Sequence, residues 1–492
     1  MKTLRLSDNA TTIIGSEHGD IHALWTSLDK YDAMTIGSLR EKRVIVFPPN
    51  GKASKSNDKD NVFYKIVEAH RDKEGKIASF SMQTSNLMGV ISLPGNVETG
   101  ERIQLEVHSR FDSRKPFFLN YLLSKVVFDI SLTDLVAASG QSLWDMLLAL
   151  VFLHRFKAAA QIGLFKQYHK FEYNDLNFHG KFDLDRHLKR NFPLGDKLAH
   201  SRREISFDNP INHLIRHAAA IIERKWPSLL ILHEESDTLL RLLNQSTPTW
   251  HRDNVGKILA HKDVRLEIRH PFFAEFYEDL RRVSIALLLG DGTSLYDGIE
   301  GMELEGVVFD GAWLWEEYLS TLLVPLGYVH ANTEVKKTGI TAFVDNNKHV
   351  QPLYPDFRLP RIKGKTGECK VILDAKYKHS SFWQPEDKHQ IFSYMFLTGA
   401  ELGGLIYPPD GNHCKKALVI DQHTAAAEDV KRWKCFTYAS PDGNATAADF
   451  ISAMEQSESE LKAFARDEGA TVVNADLVCP EFADLECPLT HP

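Results

Sequence analysis

Residues 351–394 read QPLYPDFRLPRIKGKTGECKVILDAKYKHSSFWQPEDKHQIFSY, from Gln351 to Tyr394, and the rest of the chain is organised around them. An apolar segment ends in Pro355-Asp356. A turn-prone run, Lys363-Gly364-Lys365-Thr366-Gly367, leads to the β-rich segment Val371-Ile372-Leu373-Asp374-Ala375-Lys376-Tyr377. Two strands joined by a polar turn predict an antiparallel hairpin. Side chains alternate along a strand, so Asp374 and Lys376 share a face about 6–7 Å apart, with Leu373 and Ala375 on the other. With Asp356 on the neighbouring strand, two carboxylates and one ammonium converge on one point.

Those groups suit metal-assisted hydrolysis of a phosphodiester. A hard cation such as Mg²⁺ takes oxygen ligands, and Asp356, Asp374 and the Ala375 carbonyl supply part of a shell. Such an ion stabilises developing phosphoryl charge and acidifies a bound water. Lys376 is placed to hold the attacking water or to balance charge on the phosphorane. Asp-Ala-Lys alone is more often just an exposed strand edge with two solvated charges. The residues that follow narrow the choice. After Pro385 a helix-like run carries Gln390 and Tyr394, four apart and so on one face.

Pro355-Asp356, Asp374-Ala375-Lys376 and Gln390-xxx-Tyr394 together resemble the PD-(D/E)XK nuclease superfamily. The last element is the sub-pattern of its RecB-like and McrC-like members. Upstream, Gly180-Lys-Phe-Asp-Leu-Asp-Arg-His-Leu-Lys-Arg-Asn191 and Phe207-Asp-Asn-Pro-Ile-Asn-His-Leu-Ile-Arg216 resemble, in that order, the middle region of the McrC family. That family supplies the nuclease subunit of McrBC-type (5-methylcytosine) restriction systems. The resemblance spans about residues 85–440 and is strongest over 305–410. It implies catalytic roles for Asp356, Asp374, Lys376, Gln390 and Tyr394, and DNA as substrate. It also implies a separate AAA+ NTPase partner, in McrBC a GTPase. The superfamily's N-terminal acidic residue matches Glu316, at the packing seam of a helix Ala312–Leu323 whose apolar stripe is Trp315, Tyr318, Leu319 and Leu322. Glu316 joins Asp356, Asp374 and Ala375 as a metal ligand on that reading.

Composition sets the frame. The chain has 492 residues, enough for about three domains, with 43% hydrophobic and 25% charged residues, as in ordinary globular proteins. A net charge of −8 gives no global attraction for nucleic acid, so any such contact rests on local patches. One exists: residues 151–225 hold 14 Lys/Arg against 8 Asp/Glu. Cys369, Cys414, Cys435, Cys479 and Cys487 form no C-x-x-C pair, which suggests free thiols in a reducing compartment, and the spacing of Cys479, Cys487 and His491 is poor for a metal. The N-terminus lacks the apolar run of a signal peptide, and the longest apolar run, Met146 to Leu153, is too short to cross a bilayer. A cytoplasmic protein with no membrane contact is expected.

The predicted fold class is α+β and multidomain. Residues 1–115, rich in short β-like runs, form a small N-terminal β-barrel or sandwich for partner docking. Residues 116–300 form a helical, locally basic middle, in which Asn209 or Asp208 caps a helix begun by Pro210. Residues 301–440 form a PD-(D/E)XK restriction-endonuclease-like mixed α/β domain. Residues 441–492 form an acidic tail, with 11 acidic residues against Lys462 and Arg466 and one helix over 447–464. Gly95 and Gly100 echo a phosphate loop, but Glu101-Arg102 stands where Lys-Ser/Thr would be, so no nucleotide site is expected. Two other functions remain open: a non-cleaving scaffold that activates an NTPase, and a repair or recombination nuclease of the same fold.

Overall fold

The computed structural model describes residues 2–15, 20–41, 44–48, 62–94, 102–112, 117–128, 143–193, 195–227, 234–290, 306–330, 339–345, 348–361, 368–379, 384–409, 415–419, 432–439 and 446–466. The polar turn 363–367 and Cys414, Cys479, Cys487 and His491 lie outside them, as do Gly95, Gly100 and the phosphate-loop comparison. The chain divides into two compact units. One holds Met1–Lys42, Val46–Thr133 and Val308–Pro492; the other holds Arg43–Ile45 and Asp134–Val307.

The centre of the first unit is a six-stranded mixed sheet. Its order is Val329–His330, Phe357–Pro360, Cys369–Ala375, Leu402–Tyr407, Arg432–Thr437 and Lys415–Val419. Phe357–Pro360 and Cys369–Ala375 pair antiparallel with Phe357 opposite Leu373, so the expected hairpin forms. Cys369–Ala375 then pairs in parallel with Leu402–Tyr407. Parallel neighbours need a crossover, and here it is the helix Pro385–Thr398. Pro385 stands at its first turn, Gln384 and Asp387 form a reciprocal capping box, and Gly399 ends it in the left-handed region at φ 66°. Ile372, Ile391, Tyr394, Met395 and Leu405 share one buried cluster between helix and sheet. Gly403 sets how close the helix lies: a Cβ there would stand 2.4 Å from both Ile391 Cγ2 and Met395 Sδ.

The N-terminal strands lie in two open sheets. One runs Lys2–Ser7, Arg102–His108, Leu87–Pro94, Gly306–Asp310, Val44–Phe47; the other runs Thr11–Ile14, Ile77–Thr84, Tyr64–Arg71. Among the described residues no sheet closes into a barrel. The first sheet takes in Gly306–Asp310 from far along the chain, so the N-terminal region does not complete its own sheet. It also carries two short helices, Ile21–Asp29 and Ile36–Glu41, which the β-rich expectation did not include. The helix Ala447–Arg466 packs into the same unit. Glu458 Oε1 accepts from Tyr121 Oη at 2.7 Å and from Tyr318 Oη at 2.9 Å, and Phe464 meets Phe436 with ring centroids 5.4 Å apart. Within the expected tail, residues 447–466 are therefore a core element; 467–492 lie outside the described residues.

The second unit corrects the expectation of a helical middle. Helices do dominate: Leu143–Gln161, Pro210–Lys225 and Ala274–Gly290 pack together. Asn209 is the cap, its side chain accepting from Asn212 N at 3.0 Å, with Pro210 in the first turn. Between the first two of these helices, however, Gln167–Asp175 and Leu198–Ser206 pair antiparallel over nine residues, with Lys181–Phe182 added at the edge. Tyr168, Phe171 and Tyr173 favour strands. Most residues of this sheet are polar and exposed or half-buried, with Ala199, His200 and Ser201 buried, and alternation of apolar and polar residues is confined to Lys170-Phe171-Glu172-Tyr173-Asn174. Of the stretch 180–191, only Leu184–Asn191 is helical, capped by Asp183.

Candidate active site

The site lies where the strand Cys369–Ala375 ends. Backbone pairing carries past the strand: Lys376 N donates to Ile406 O at 2.9 Å. Asp356 stands one residue before the neighbouring strand, and its Oδ2 accepts from Ala375 N at 2.7 Å. Asp374 is buried on the strand itself. Lys376 Nζ reaches back to Asp374 Oδ2 at 2.5 Å and donates to Gln390 Oε1 at 2.8 Å. Gln390 Nε2 donates in turn to Tyr394 Oη at 2.9 Å. Asp356, Asp374, Ala375, Lys376, Gln390 and Tyr394 are thus joined in one chain of contacts.

Glu316 comes from the helix Gly311–Leu323, which the side chain of Asp310 caps by accepting from Ala312 N and Trp313 N. The expected stripe of Trp315, Tyr318, Leu319 and Leu322 is buried. Glu316 Oε1 lies 2.7 Å from His330 Nε2. Its charge is felt at Asp356 and at Asp374.

Electrostatics follow from this crowding. Burial, then the charges of Asp374 and Glu316, push the Asp356 carboxyl well above the usual range. Burial also raises Asp374, against the pull of Lys376 and of a hydrogen bond from Asp356. Two acids that close disfavour double ionisation unless a cation joins them. Burial alone would lower Lys376, but Asp374, Asp356 and Asp387 outweigh it and hold the ammonium above its ordinary value. Burial pushes the Tyr394 phenol up to about 12, so it stays neutral.

Asp356 and Asp374 therefore offer a divalent ion two hard oxygen donors whose repulsion it would relieve, and in that respect they fit Mg²⁺. Among the described residues, no three His, Cys, Asp or Glu side chains form a ready-made cation group. Glu316 is engaged with His330 instead.

Sequence reasoning did not single out three neighbours. Asp387 takes an ion pair from Lys378 and lies 3.7 Å from Lys376 Nζ; burial would raise its carboxyl, but Lys378, the Gln384 amide and Lys376 together lower it. The Gln384-Pro385-Glu386-Asp387 capping pattern could have revealed it. Lys378 follows the Lys376 alternation. No local pattern points to His330.

The fold and site define a mixed α/β protein of several open sheets, with a buried acidic–lysine cluster at the end of a sheet strand. A family model for the McrBC 5-methylcytosine restriction system component matches residues 82–408, well over half of the chain, and the protein belongs to that family. The family resemblance read from the residues is thereby borne out. No curated protein matches the chain. Among solved structures, a refined half-complex of Thermococcus gammatolerans McrB AAA+ hexamers with bound McrC is similar at 14% identity and a TM-score of 0.47, over 92% of this chain and 99% of that one. A Thermococcus gammatolerans McrBC complex is similar at 14% identity and a TM-score of 0.32, over 65% and 87%. Among the described residues no helix is long and apolar enough to cross a membrane. Cys369 and Cys435 are buried.

Proposed function

We propose that this chain is the Mg²⁺-dependent endonuclease subunit of an McrBC-like restriction system. On this reading residues 301–440 form a PD-(D/E)XK nuclease domain that hydrolyses phosphodiesters of modified or foreign DNA together with an AAA+ NTPase. The observation that carries it is the meeting of Asp356, Asp374, Lys376 and Gln390 at one strand end, through contacts of 2.5 to 2.8 Å.

Asp356 and Asp374 would hold the ion, with the Ala375 carbonyl and Glu316 completing the protein's share. When bound, the ion stabilises charge on the phosphoryl oxygens and acidifies a water. Lys376, kept charged by its acidic neighbours, positions the attacking water or balances charge on the phosphate. Gln390 fixes the direction of the ammonium, and Tyr394 fixes Gln390. Asp387 holds Lys376 from the side of the helix start.

The chain has no Walker A sequence, so NTP hydrolysis falls to the partner. A net charge of −8 also favours weak, salt-sensitive DNA binding by the isolated chain. The test mixes the chain with its AAA+ partner, methylated or unmethylated DNA, Mg²⁺ and nucleotide at physiological salt. Cleavage is expected in the full mixture and little by the chain alone. Equal cutting by the chain alone would make it an autonomous nuclease. Stimulated NTP hydrolysis without cleavage in any arm would make it a scaffold.

A further inference from the structure

Lys376 stands one residue past the end of the strand Cys369–Ala375, and from there the chain alternates between two sets of contacts. Lys376 and Lys378 both meet Asp387 on the side of the site. The rings of Tyr377 and His379 both meet Phe111, with centroids 5.1 and 4.9 Å away. Phe111 belongs to the turn that follows Arg102–His108, a strand of the N-terminal sheet. Arg110, in the same turn, closes on the segment from behind. Its Nη2 donates to the Tyr377 carbonyl and, at 3.3 Å, to Asn86 Oδ1. The guanidinium also lies over the Tyr377 ring, 4.8 Å from the centroid. Asp8 fixes the arginine in turn: Oδ1 accepts from Arg110 N at 2.5 Å, and Oδ2 lies 3.9 Å from Nε. The two side chains are only 11% and 0% exposed. The tyrosine ring is wedged as well. Its Oη lies 2.9 Å from Ser109 Oγ, and a Cβ on Gly311 would stand 2.7 Å from its Cε1.

Stability alone does not account for this arginine. A buried guanidinium–carboxylate pair commonly stabilises no more than apolar side chains of the same size would. What the pair supplies instead is direction: a planar fork, held by Asp8, presents a donor to one carbonyl. That carbonyl belongs to the residue after Lys376. The residue before it, Ala375, is tied through its amide to Asp356. The lysine backbone is thus pinned on both sides. Its ammonium rides on a flexible four-carbon stem and keeps one place only while the backbone does. We propose that Arg110 is a positioning residue for Lys376, fastening the Tyr377 carbonyl so that the ammonium stays between Asp374 and Gln390. The consequence for cleavage rests on the nuclease reading; the fastening itself does not.

The test has two readouts on the full-length chain. One is hydrogen exchange by mass spectrometry over residues 376–379, without metal or DNA; the other is cleavage kinetics with Mg²⁺ and the AAA+ partner. Arg110→Met keeps the apolar stem and removes the fork. Exchange over 376–379 is expected to quicken about 10–100-fold, with that of Leu402–Tyr407 unchanged. The kcat is expected to fall by up to about 10²-fold while KM for DNA holds. Ser109→Ala removes the partner of the Tyr377 hydroxyl but leaves the carbonyl bond, so it is expected to melt lower with both readouts near wild type. Wild-type exchange or wild-type kcat in Arg110→Met overturns the proposal. So does a Ser109→Ala protein that loses kcat as far as Arg110→Met. Lys376→Ala separates the two readings. If it cuts DNA like the wild type, the nuclease reading fails and takes the role in cleavage with it. An inactive Lys376→Ala beside a wild-type Arg110→Met overturns the role of Arg110 alone. Should Arg110→Met melt far below the wild type, Asp8→Asn/Arg110→Met decides on the same two readouts, because no carboxylate is then left buried without its cation.

Discussion

The backbone N–H of Ala375 donates to Asp356 Oδ2 at 2.7 Å, which ties the first carboxylate to the strand that bears the second. Ala375 lies between Asp374 and Lys376, so this bond fixes Asp356 against both neighbours at once. It leaves Asp356 one residue outside the regular hairpin pairing, which begins at Phe357 opposite Leu373. Hairpin register thus sets the spacing of the acidic pair.

Asp374→Asn should abolish DNA cleavage while the fold persists. The amide keeps the shape of the side chain but removes a charge that the cation needs, at a cost of several kcal/mol in transition-state stabilisation. Cleavage assays with Mg²⁺ and partner, beside thermal melts, check this. Undiminished cutting would remove Asp374 from the site.

Lys376→Ala and Lys376→Arg should both lose roughly 10²-fold or more in rate. A guanidinium is planar and forked, and it cannot occupy the compact position between Asp374 Oδ2 and Gln390 Oε1 that the ammonium fills. A Lys376→Arg enzyme near wild-type activity would reduce the lysine to a diffuse electrostatic role.

Gly403→Ala should destabilise the protein by about 1–3 kcal/mol and reduce cleavage more than its distance from the acids suggests. The new methyl would lie 2.4 Å from Ile391 Cγ2 and Met395 Sδ. The helix carrying Gln390 must shift, and the bond from Lys376 to Gln390 shifts with it. Denaturant unfolding and cleavage rates measured together test the link. Lost stability with unchanged cleavage would separate the helix position from the chemistry.

Asp310→Asn should change stability in a pH-dependent way. Burial raises the Asp310 carboxyl from 3.8 to about 6 in the folded state, with its cap bonds to Trp313 and Ala312 pulling the other way. The folded state therefore holds the proton more tightly, and wild-type stability from this group is lost as pH rises from about 4 to about 6. Asparagine caps as well as aspartate and carries no charge. The variant should gain on the wild type across that window by roughly 2–3 kcal/mol and stay level above it. Urea unfolding between pH 4 and pH 8 measures it. A difference that does not vary with pH would contradict the raised carboxyl.

Local periodicity determined much of this protein from the sequence alone. Strand alternation put Asp374 and Lys376 on one face, and helical spacing put Gln390 and Tyr394 on one face. The Asn209-Pro210 helix start and the apolar stripe of Trp315, Tyr318, Leu319 and Leu322 were legible for the same reason: each depends on neighbours within a few residues. The antiparallel sheet of Gln167–Asp175 and Leu198–Ser206 was not legible, because only Lys170-Phe171-Glu172-Tyr173-Asn174 alternates and the partner strand is mostly polar, so the signal is short and one-sided. Other features were decided only by contacts distant in sequence. Gly306–Asp310 enters the N-terminal sheet. Glu458 reaches Tyr121 and Tyr318 across 337 and 140 residues. His330 meets Glu316 through the pairing of an edge strand two residues long. In each case packing chose the partner: a buried carboxylate needs donors, and an incomplete sheet edge needs a strand, wherever the chain can bring one.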